Sequence, residues 1–291
     1  MRQKIANAQK DMAGFIADMS VFLPQSNATL PYGNPPASWQ YISTSGQYSD
    51  EDIELAESWC NEYDAIYQNL SCALGIEPDF CSMLTAFLYA THINNVPTLI
   101  AGPGGQDIAE VLSVSMYATG AGQLTLGDEC DLSIVERISE ADDSIVSVQN
   151  MFGKGWTDAL PQKFTRLKKQ IIWAHPYVED MLIEPKGLYN YMLPVLSECF
   201  IGSLPALETW PSKRAEKFQP YVSEEKQSLR ISVFKRLGLS KLLLGQLTRV
   251  LSDAKCILEN PAKDKDLELL FGVLPPVSYT HLRAHETGAY L

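Results

Sequence analysis

The segment Val96–Ala109 reads VPTLIAGPGGQDIA, and its three parts decide the predicted fold. Val96–Ala101 is a short apolar run typical of a buried strand, and Gly102–Gly105 is a glycine-rich turn. A helix is predicted after the turn, because apolar residues recur there at helical spacing, namely Ile108, Val111, Leu112 and Met116. A strand, a glycine turn and a helix N-terminus bind phosphate in many folds, since exposed backbone N–H groups and the helix dipole both attract an anion.

Short apolar runs and helical stretches continue to alternate after this segment. Strands are predicted at Gln123–Leu126, Ser144–Val148, Gln170–Ala174 and Tyr191–Leu196, and helices at Leu132–Ile138 and Trp156–Lys169. The alternation predicts an α/β fold class over about residues 79–202, with a parallel sheet flanked by helices and joined by right-handed crossovers.

Helices are also expected before the sheet. Residues 1–23 can form an amphipathic helix, and residues 24–48, rich in Pro, Gly and Ser, form a predicted linker. Ser49 and the acidic residues 50–52 resemble a helix N-cap and first turn. Pro78 is expected to open a second helix.

A helical pattern returns after Ser203. Helices are predicted at Lys226–Leu237, Lys241–Leu258 and Asp266–Phe271. The predicted organisation is an N-terminal helix and linker at 1–48, an α/β core with leading helices at 49–202, and a lid-like helical module at 203–276.

The last residues differ from everything before them. Val277–Thr287, VSYTHLRAHET, matches one reading frame of a widely used sequencing-library adapter. We therefore expect residues 277–291 to be an artefactual tail and the natural C-terminal part to be missing. For this reason His281 and His285, which have the i, i+4 spacing of a helical metal pair, are not interpreted as ligands.

The glycine turn can be compared with the P-loop pattern G-x-x-x-x-G-K-[ST]. Gly102 occupies the first glycine position, but Asp107, Ile108 and Ala109 stand at the positions of the second glycine, the lysine and the Ser/Thr. The lysine that neutralises phosphates and the hydroxyl that holds Mg²⁺ are therefore replaced. A carboxylate is placed where phosphates would lie.

The ends of the next two strands complete the candidate site. P-loop ATPases use acidic residues at the end of a neighbouring strand to hold Mg²⁺ and position water, whereas the strand Ser144–Val148 is followed by the neutral amides Gln149 and Asn150. The strand QIIWA is followed by His175, at a place where AAA+ ATPases often carry a polar water-sensing residue.

The order of these elements over about residues 79–276 resembles the AAA+ type of P-loop NTPase, and in spacing it also resembles the GTP-dependent motor subunits of methylcytosine-specific restriction systems. The resemblance implies a vestigial nucleotide site at Gly102, Pro103, Gly104, Gly105, Gln106 and Asn150. Because the departures fall on the residues that perform phosphoryl chemistry, we expect no cofactor, or only weak ATP or GTP binding. Arg214, Arg230 and Arg236 are candidates for acting on a neighbouring subunit's nucleotide.

Composition limits the remaining classes. The 291-residue chain has a formal net charge of −12, which disfavours nucleic-acid binding, and it has no long apolar run for a membrane helix. Six widely spaced cysteines without a C-x-x-C pair predict buried free thiols and no metal framework. We expect a cytoplasmic protein whose partners are other protein subunits in an oligomer.

Three functional hypotheses remain open from the sequence. The first is a non-catalytic AAA+-like component of a larger bacterial-type assembly. The second is an α/β enzyme of another class that uses His175 as a general acid or base at the carboxyl end of a strand. The third is an interaction module without chemistry, in which Gly102–Gly105 is only a tight turn.

Overall fold

The structure, a computed structural model, describes residues 38–44, 48–152, 155–182, 186–201, 209–223 and 239–275. The predicted helices 1–23 and Lys226–Leu237, most of the predicted linker and the tail 277–291 lie outside these residues.

Strands and helices alternate along the central part of the chain. In chain order the strands are β1 (Trp39–Ile42), β2 (Glu54–Ser58), β3 (Thr98–Ala101), β4 (Gly122–Leu126), β5 (Ile145–Gln149), β6 (Gln170–His175), β7 (Leu193–Leu196) and β8 (Ser212–Gln219). The α-helices are α1 (Trp59–Leu74), α2 (Pro78–Ile93), α3 (Gly105–Tyr117), α4 (Ile134–Glu140), α5 (Trp156–Ala159), α6 (Pro161–Phe164), α7 (Lys241–Leu258) and α8 (Asp264–Glu268). Short 3₁₀ turns lie at Glu179–Leu182, Lys186–Asn190 and Ser197–Cys199, and a π-helical turn lies at Leu269–Val273.

The main sheet of the described chain has six strands in the order β1-β4-β5-β6-β3-β7. All neighbouring pairs are parallel except β1 and β4, which are antiparallel. Every residue of β3 and β7 is buried, as expected for parallel strands covered on both faces. The predicted α/β fold with a sheet flanked by helices is confirmed, and the sheet is mostly parallel because β1 is antiparallel to β4.

The chain order explains where a ligand crevice should lie. After β3 the chain crosses to β4, returns through β5 and β6 to the side of β3, and then places β7 on the other side of β3. Helix α3, which follows β3, packs over β5 and β6. A crevice opens at the carboxyl ends of two adjacent strands whose connections lead in opposite directions, and here these strands are β3, which leads to β4, and β6, which leads to β7.

Strand β1 is a first difference from the sequence prediction, which placed its residues in the linker. Its four residues alternate between half-buried and exposed positions and pair with β4 at the edge of the sheet. Asp143 holds β1 and the two residues that follow it: it accepts hydrogen bonds from Tyr41 Oη at 2.7 Å, Ser43 Oγ at 2.7 Å and Thr44 N at 3.1 Å. A four-residue edge strand has too short an alternation to be recognised without its partner.

Strands β2 and β8 are a second difference. The helix predicted to start at Ser49 covers the residues of β2, and β8 lies in the predicted helical module at 203–276, where no strand was expected. They pair with each other in parallel as a separate two-stranded sheet. Ser49 and Asp52 form a turn instead of a helix start, and the helix begins at Trp59, after Ser58 has bonded Asn61. The sequence SKRAEKFQ of β8 favours a helix by local propensity, so pairing with a distant strand has overridden that preference.

A buried ion pair fastens β8 to the helices. Arg214 on β8 donates from Nε to Glu62 Oε1 at 2.6 Å and from Nη2 to Glu62 Oε2 at 3.0 Å. Tyr89 donates its hydroxyl to the same Oε2 at 2.7 Å. Glu62 is fully buried, so these three bonds supply the partners that a buried carboxylate requires.

The remaining predicted helices are present with altered lengths. Helix α7 has the predicted bounds, whereas the predicted Asp266–Phe271 helix is α8 followed by the π-helical turn. The predicted helix over Trp156–Lys169 is the two short helices α5 and α6, interrupted before Pro161. Within the described ranges, no helix combines the length and the apolarity needed to cross a bilayer.

We expect Asp143→Ala to destabilise the fold, because it removes the acceptor of three hydrogen bonds that hold β1 and the two residues after it. Hydrogen bonds to a charged group contribute about 1.5–3 kcal/mol each, but they are not additive, so a loss of roughly 3 kcal/mol in the free energy of unfolding is expected. Urea denaturation measures it. The control is Asp142→Ala at the exposed neighbouring residue; an equal loss there would contradict the assignment.

Candidate functional site

The glycine turn leaves β3 under tight steric constraints. Gly102 has φ +111° and donates its N–H to the carbonyl oxygen of His175 at 2.8 Å. A Cβ on Gly102 would lie 2.7 Å from Ser197 Oγ and 3.1 Å from Glu198 N. Gly104 has φ +71° and caps helix α3, and a Cβ there would lie 2.5 Å from Ile201 Cδ1. The turn therefore requires glycine at both positions, for its backbone conformation and for its contact with the segment after β7.

The turn directs the N-terminus of helix α3 to the carboxyl edge of the sheet. The first hydrogen bond of this 13-residue helix runs from Ile108 N to Gly104 O at 2.9 Å. The N–H groups of Gly105, Gln106 and Asp107 precede it, and the helix cannot supply acceptors for them. They add a partial positive charge at this edge.

One cavity of about 260 Å³ lies at this edge. All residues predicted for the site line it: Gly102, Pro103, Gly104, Gly105, Gln106, Asn150 and His175. Asp107, Gln149, Ala174 and Pro176 complete the lining. The structure thus brings together the ends of β3, β5 and β6, which the chain separates by up to about 70 residues.

The P-loop positions differ in what they present to this cavity. Asp107 lines it and is half-buried, and burial raises the pKa of its carboxyl group. Ile108 and Ala109 are fully buried in the hydrophobic core and do not line it. No lysine or arginine is among the described residues of the lining.

His175 is a second titratable group in the lining of this cavity, in addition to Asp107. Its Nε2 lies 2.8 Å from Asp180 Oδ2, and its side chain is 13% exposed. The ring lies 4.3 Å from that of Phe152 and 6.1 Å from that of Tyr177. Asp180 was not among the predicted site residues. It follows Pro176 closely in the chain, and a carboxylate at this distance orients an imidazole.

Asn150 has a backbone conformation that is uncommon outside glycine. Its φ is +58°, in the left-handed region that Asn tolerates better than most residues. It follows β5 directly and lines the cavity together with Gln149. The positions that the P-loop comparison assigns to metal-binding acids therefore present two neutral amides to the cavity.

His92 and the cysteines lie outside the lining of this cavity. Burial lowers the pKa of His92 to about 4, and its Nε2 pairs with Tyr117 Oη at 3.1 Å. It is therefore neutral near pH 7. The cysteines were expected to be buried, whereas Cys60, Cys72, Cys130 and Cys199 are exposed.

The acidic loop after β4 is a local capping structure. Asp131 accepts hydrogen bonds from Ser133 Oγ at 2.7 Å, from Ser133 N at 3.0 Å and from Trp39 Nε1 at 3.2 Å. The bonds from Ser133 lower the pKa of this exposed carboxyl group. Across the described residues, no group of three or more His, Cys, Asp or Glu side chains is arranged to hold a metal ion.

No model of a known protein family matches the chain, and no curated protein matches it at a significant level.

Gly102→Ala should destabilise the protein by about 2–4 kcal/mol, because a left-handed conformation costs an alanine about 1–2 kcal/mol and the contact with Ser197 adds strain. The matched control is Gly155→Ala, where φ is +83° but no atom lies within 4 Å of the added Cβ. About 1 kcal/mol is expected there. Equal losses in urea denaturation would show that packing against the Ser197 segment contributes nothing.

Asp107→Asn should raise the melting temperature at pH 7 by a few degrees at most, roughly 1–3 °C for a half-exposed group. Since the folded-state pKa of Asp107 is raised, its ionised form disfavours the native state at neutral pH, and this disadvantage disappears below the pKa of the unfolded chain. The gain should therefore vanish near pH 3. A gain that is constant between pH 3 and pH 7, measured by thermal denaturation against Asp142→Asn, would contradict this origin.

Proposed function

We propose that the chain is a non-catalytic relative of AAA+ P-loop NTPases, with weak or no nucleotide binding, that acts as a structural or regulatory component of a larger protein assembly. One observation carries the proposal. The strand, glycine turn, helix N-terminus and two polar strand ends line one cavity, while the side chains that would neutralise a triphosphate are absent from its described lining.

Asp107 places a carboxyl group in the lining of this cavity. A phosphate seated at the N-terminus of α3 would lie close to this carboxylate, which faces the same cavity. Two unit charges about 4 Å apart repel by roughly 1–4 kcal/mol near a protein surface, which weakens binding by about fivefold to several hundredfold. Ile108 cannot compensate, because it is apolar and fully buried.

The end of β5 presents amide side chains to this cavity where a metal site would need carboxylates. Mg²⁺ in nucleotide sites is held by one or two carboxylates together with the phosphates. Gln149 and Asn150 offer neutral amide oxygens at this edge, so the metal would gain no charge neutralisation from them. Phosphoryl transfer depends mostly on such positioning and charge stabilisation, and the site lacks both of the groups that usually supply them.

Arg214, Arg230 and Arg236 were the candidates for acting on a neighbouring subunit's nucleotide. Arg214 is committed to the buried Glu62 through two of its nitrogens, so it is not a free arginine at a subunit surface. Arg230 and Arg236 lie outside the described residues. The contacts of Arg214 with Glu62 therefore argue against the donation of this one arginine to another subunit.

Titration calorimetry with Mg-ATP and Mg-GTP, combined with a phosphate-release assay, tests the proposal. We expect dissociation constants of about 1 mM or weaker and no turnover, because the cavity offers no lysine and contains Asp107. Asp107→Asn should tighten the weak binding about fivefold or more, whereas Asp142→Asn should not change it. Micromolar affinity with turnover in the unaltered protein would contradict the proposal.

A second candidate function rests on the His175–Asp180 pair. A carboxylate 2.8 Å from a ring nitrogen is the arrangement that holds an imidazole for proton transfer. Nε2 of His175 makes this contact, so Nδ1 is the other ring nitrogen. An α/β enzyme of another class would use this nitrogen as a general acid or base. A hydrolytic activity that is lost in both His175→Ala and Asp180→Asn would favour this function over the first.

A further inference from the structure

A second cavity lies at the opposite, amino-terminal edge of the main sheet. It has a volume of about 470 Å³ and is lined by Asn95 before β3, Ser144 before β5 and Gln170 at the start of β6. The glycine turn and His175 are at the carboxyl ends of the same strands, so the two cavities are separated by the length of the sheet. Its volume is within the range of small-molecule sites.

The charge of this lining is opposite to that of the whole chain. Lys168, Lys169 and Arg214 line the cavity, and no Asp or Glu is among its described lining residues, although the chain carries a net charge of −12. Lys168 is exposed and forms no ion pair with a described residue. Its ammonium group is therefore available to a ligand.

The other two cations are held in place by groups outside the lining. Lys169 donates from Nζ to the carbonyl oxygens of Ala141 and Asp143, which leaves one of its three N–H bonds. Arg214 is fixed by Glu62 through Nε and Nη2 and lies over the ring of Phe218, 4.5 Å from its centroid. Its Nη1 forms no hydrogen bond with any described residue, and 37% of its side chain is exposed. Donors fixed in this way lose little freedom when they bind an anion.

Aromatic side chains also line this cavity. They are Tyr89, Tyr117, Phe218 and Tyr221. Planar rings supply large contact areas at low entropic cost, and they favour ligands with a planar apolar part. His92 adds a neutral imidazole, because its pKa is lowered to about 4 by burial.

We infer that this second cavity binds a small aromatic anion, a planar ring that carries a carboxylate or a phosphate, with Lys168, Lys169 and Arg214 at the anionic group and the aromatic residues at the ring. The inference does not depend on the function proposed for the glycine-turn cavity. Benzoate and phenyl phosphate represent the two anionic groups, and phenol and inorganic phosphate represent the ring and the anion alone.

Titration calorimetry of the full chain with these four probes tests the inference. We expect saturable binding of benzoate or phenyl phosphate with a dissociation constant of about 1 mM or below, and at least about tenfold weaker binding of phenol and of inorganic phosphate. Whichever of the two aromatic anions binds more tightly identifies the anionic group. Absence of saturable binding up to about 10 mM overturns the inference.

Charge variants locate the binding. Lys168→Glu should weaken it by about tenfold or more, since an attraction near the surface is replaced by a repulsion. The matched control is Lys163→Glu, which changes the charge of another exposed lysine that does not line the cavity. Phe218→Ala should weaken binding about fivefold through loss of the ring contact. Equal affinity in Lys168→Glu and the unaltered protein, or equal affinity for phenol and for the more tightly bound of the two aromatic anions, overturns the inference.

The two cavities can be tested separately. Asp107→Asn alters only the glycine-turn cavity, so it should leave the affinity for the aromatic anion unchanged. Lys168 is exposed, so its replacement is compatible with folding, which a thermal melt checks. A change in aromatic-anion affinity in Asp107→Asn would place the binding at the wrong edge of the sheet and overturn the inference.

Discussion

The contact between the glycine turn and its surroundings is the constraint on which the candidate site depends. Gly102 bonds the backbone of His175 on one side and leaves no space for a Cβ beside Ser197 on the other. Gly105 adds a third close approach, since a Cβ there would lie 3.1 Å from that of Ala174. The turn is therefore fixed between β6 and the segment after β7, and the position of helix α3 over the sheet follows from it.

This constraint also explains why the turn contains glycines although the residues after it differ from the P-loop pattern. Gly102 and Gly104 are required by backbone conformation and packing. Such a requirement persists whether or not a nucleotide binds, whereas a lysine at position 108 would have to extend from a fully buried site. The glycines are thus evidence of a packing constraint and not of a bound ligand.

The sequence predicted the parallel core well, because its signals are local. The four apolar runs that became β3, β4, β5 and β6 lie within one or two residues of their predicted bounds, and α7 has the predicted bounds. The failures are at β1, β2 and β8, where a strand exists only because a distant partner is present.

For the site, the residues that end the parallel strands were predicted together, since such ends meet at one edge. Asp180 was missed because its partnership with His175 depends on a turn, and the second cavity because its residues come from five separate parts of the chain.

The pairing of β2 with β8 has a consequence for how the chain is assembled. Glu62 and Arg214 are 152 residues apart in sequence and reinforce the pairing of β2 with β8. This pairing therefore closes a loop that contains the whole parallel core. Closing a flexible loop of this size costs roughly 4 kcal/mol of chain entropy beyond a constant term. If the parallel core folds first, most of that entropy is already lost. The pairing of β2 with β8 is therefore expected to form after the core and to stabilise it.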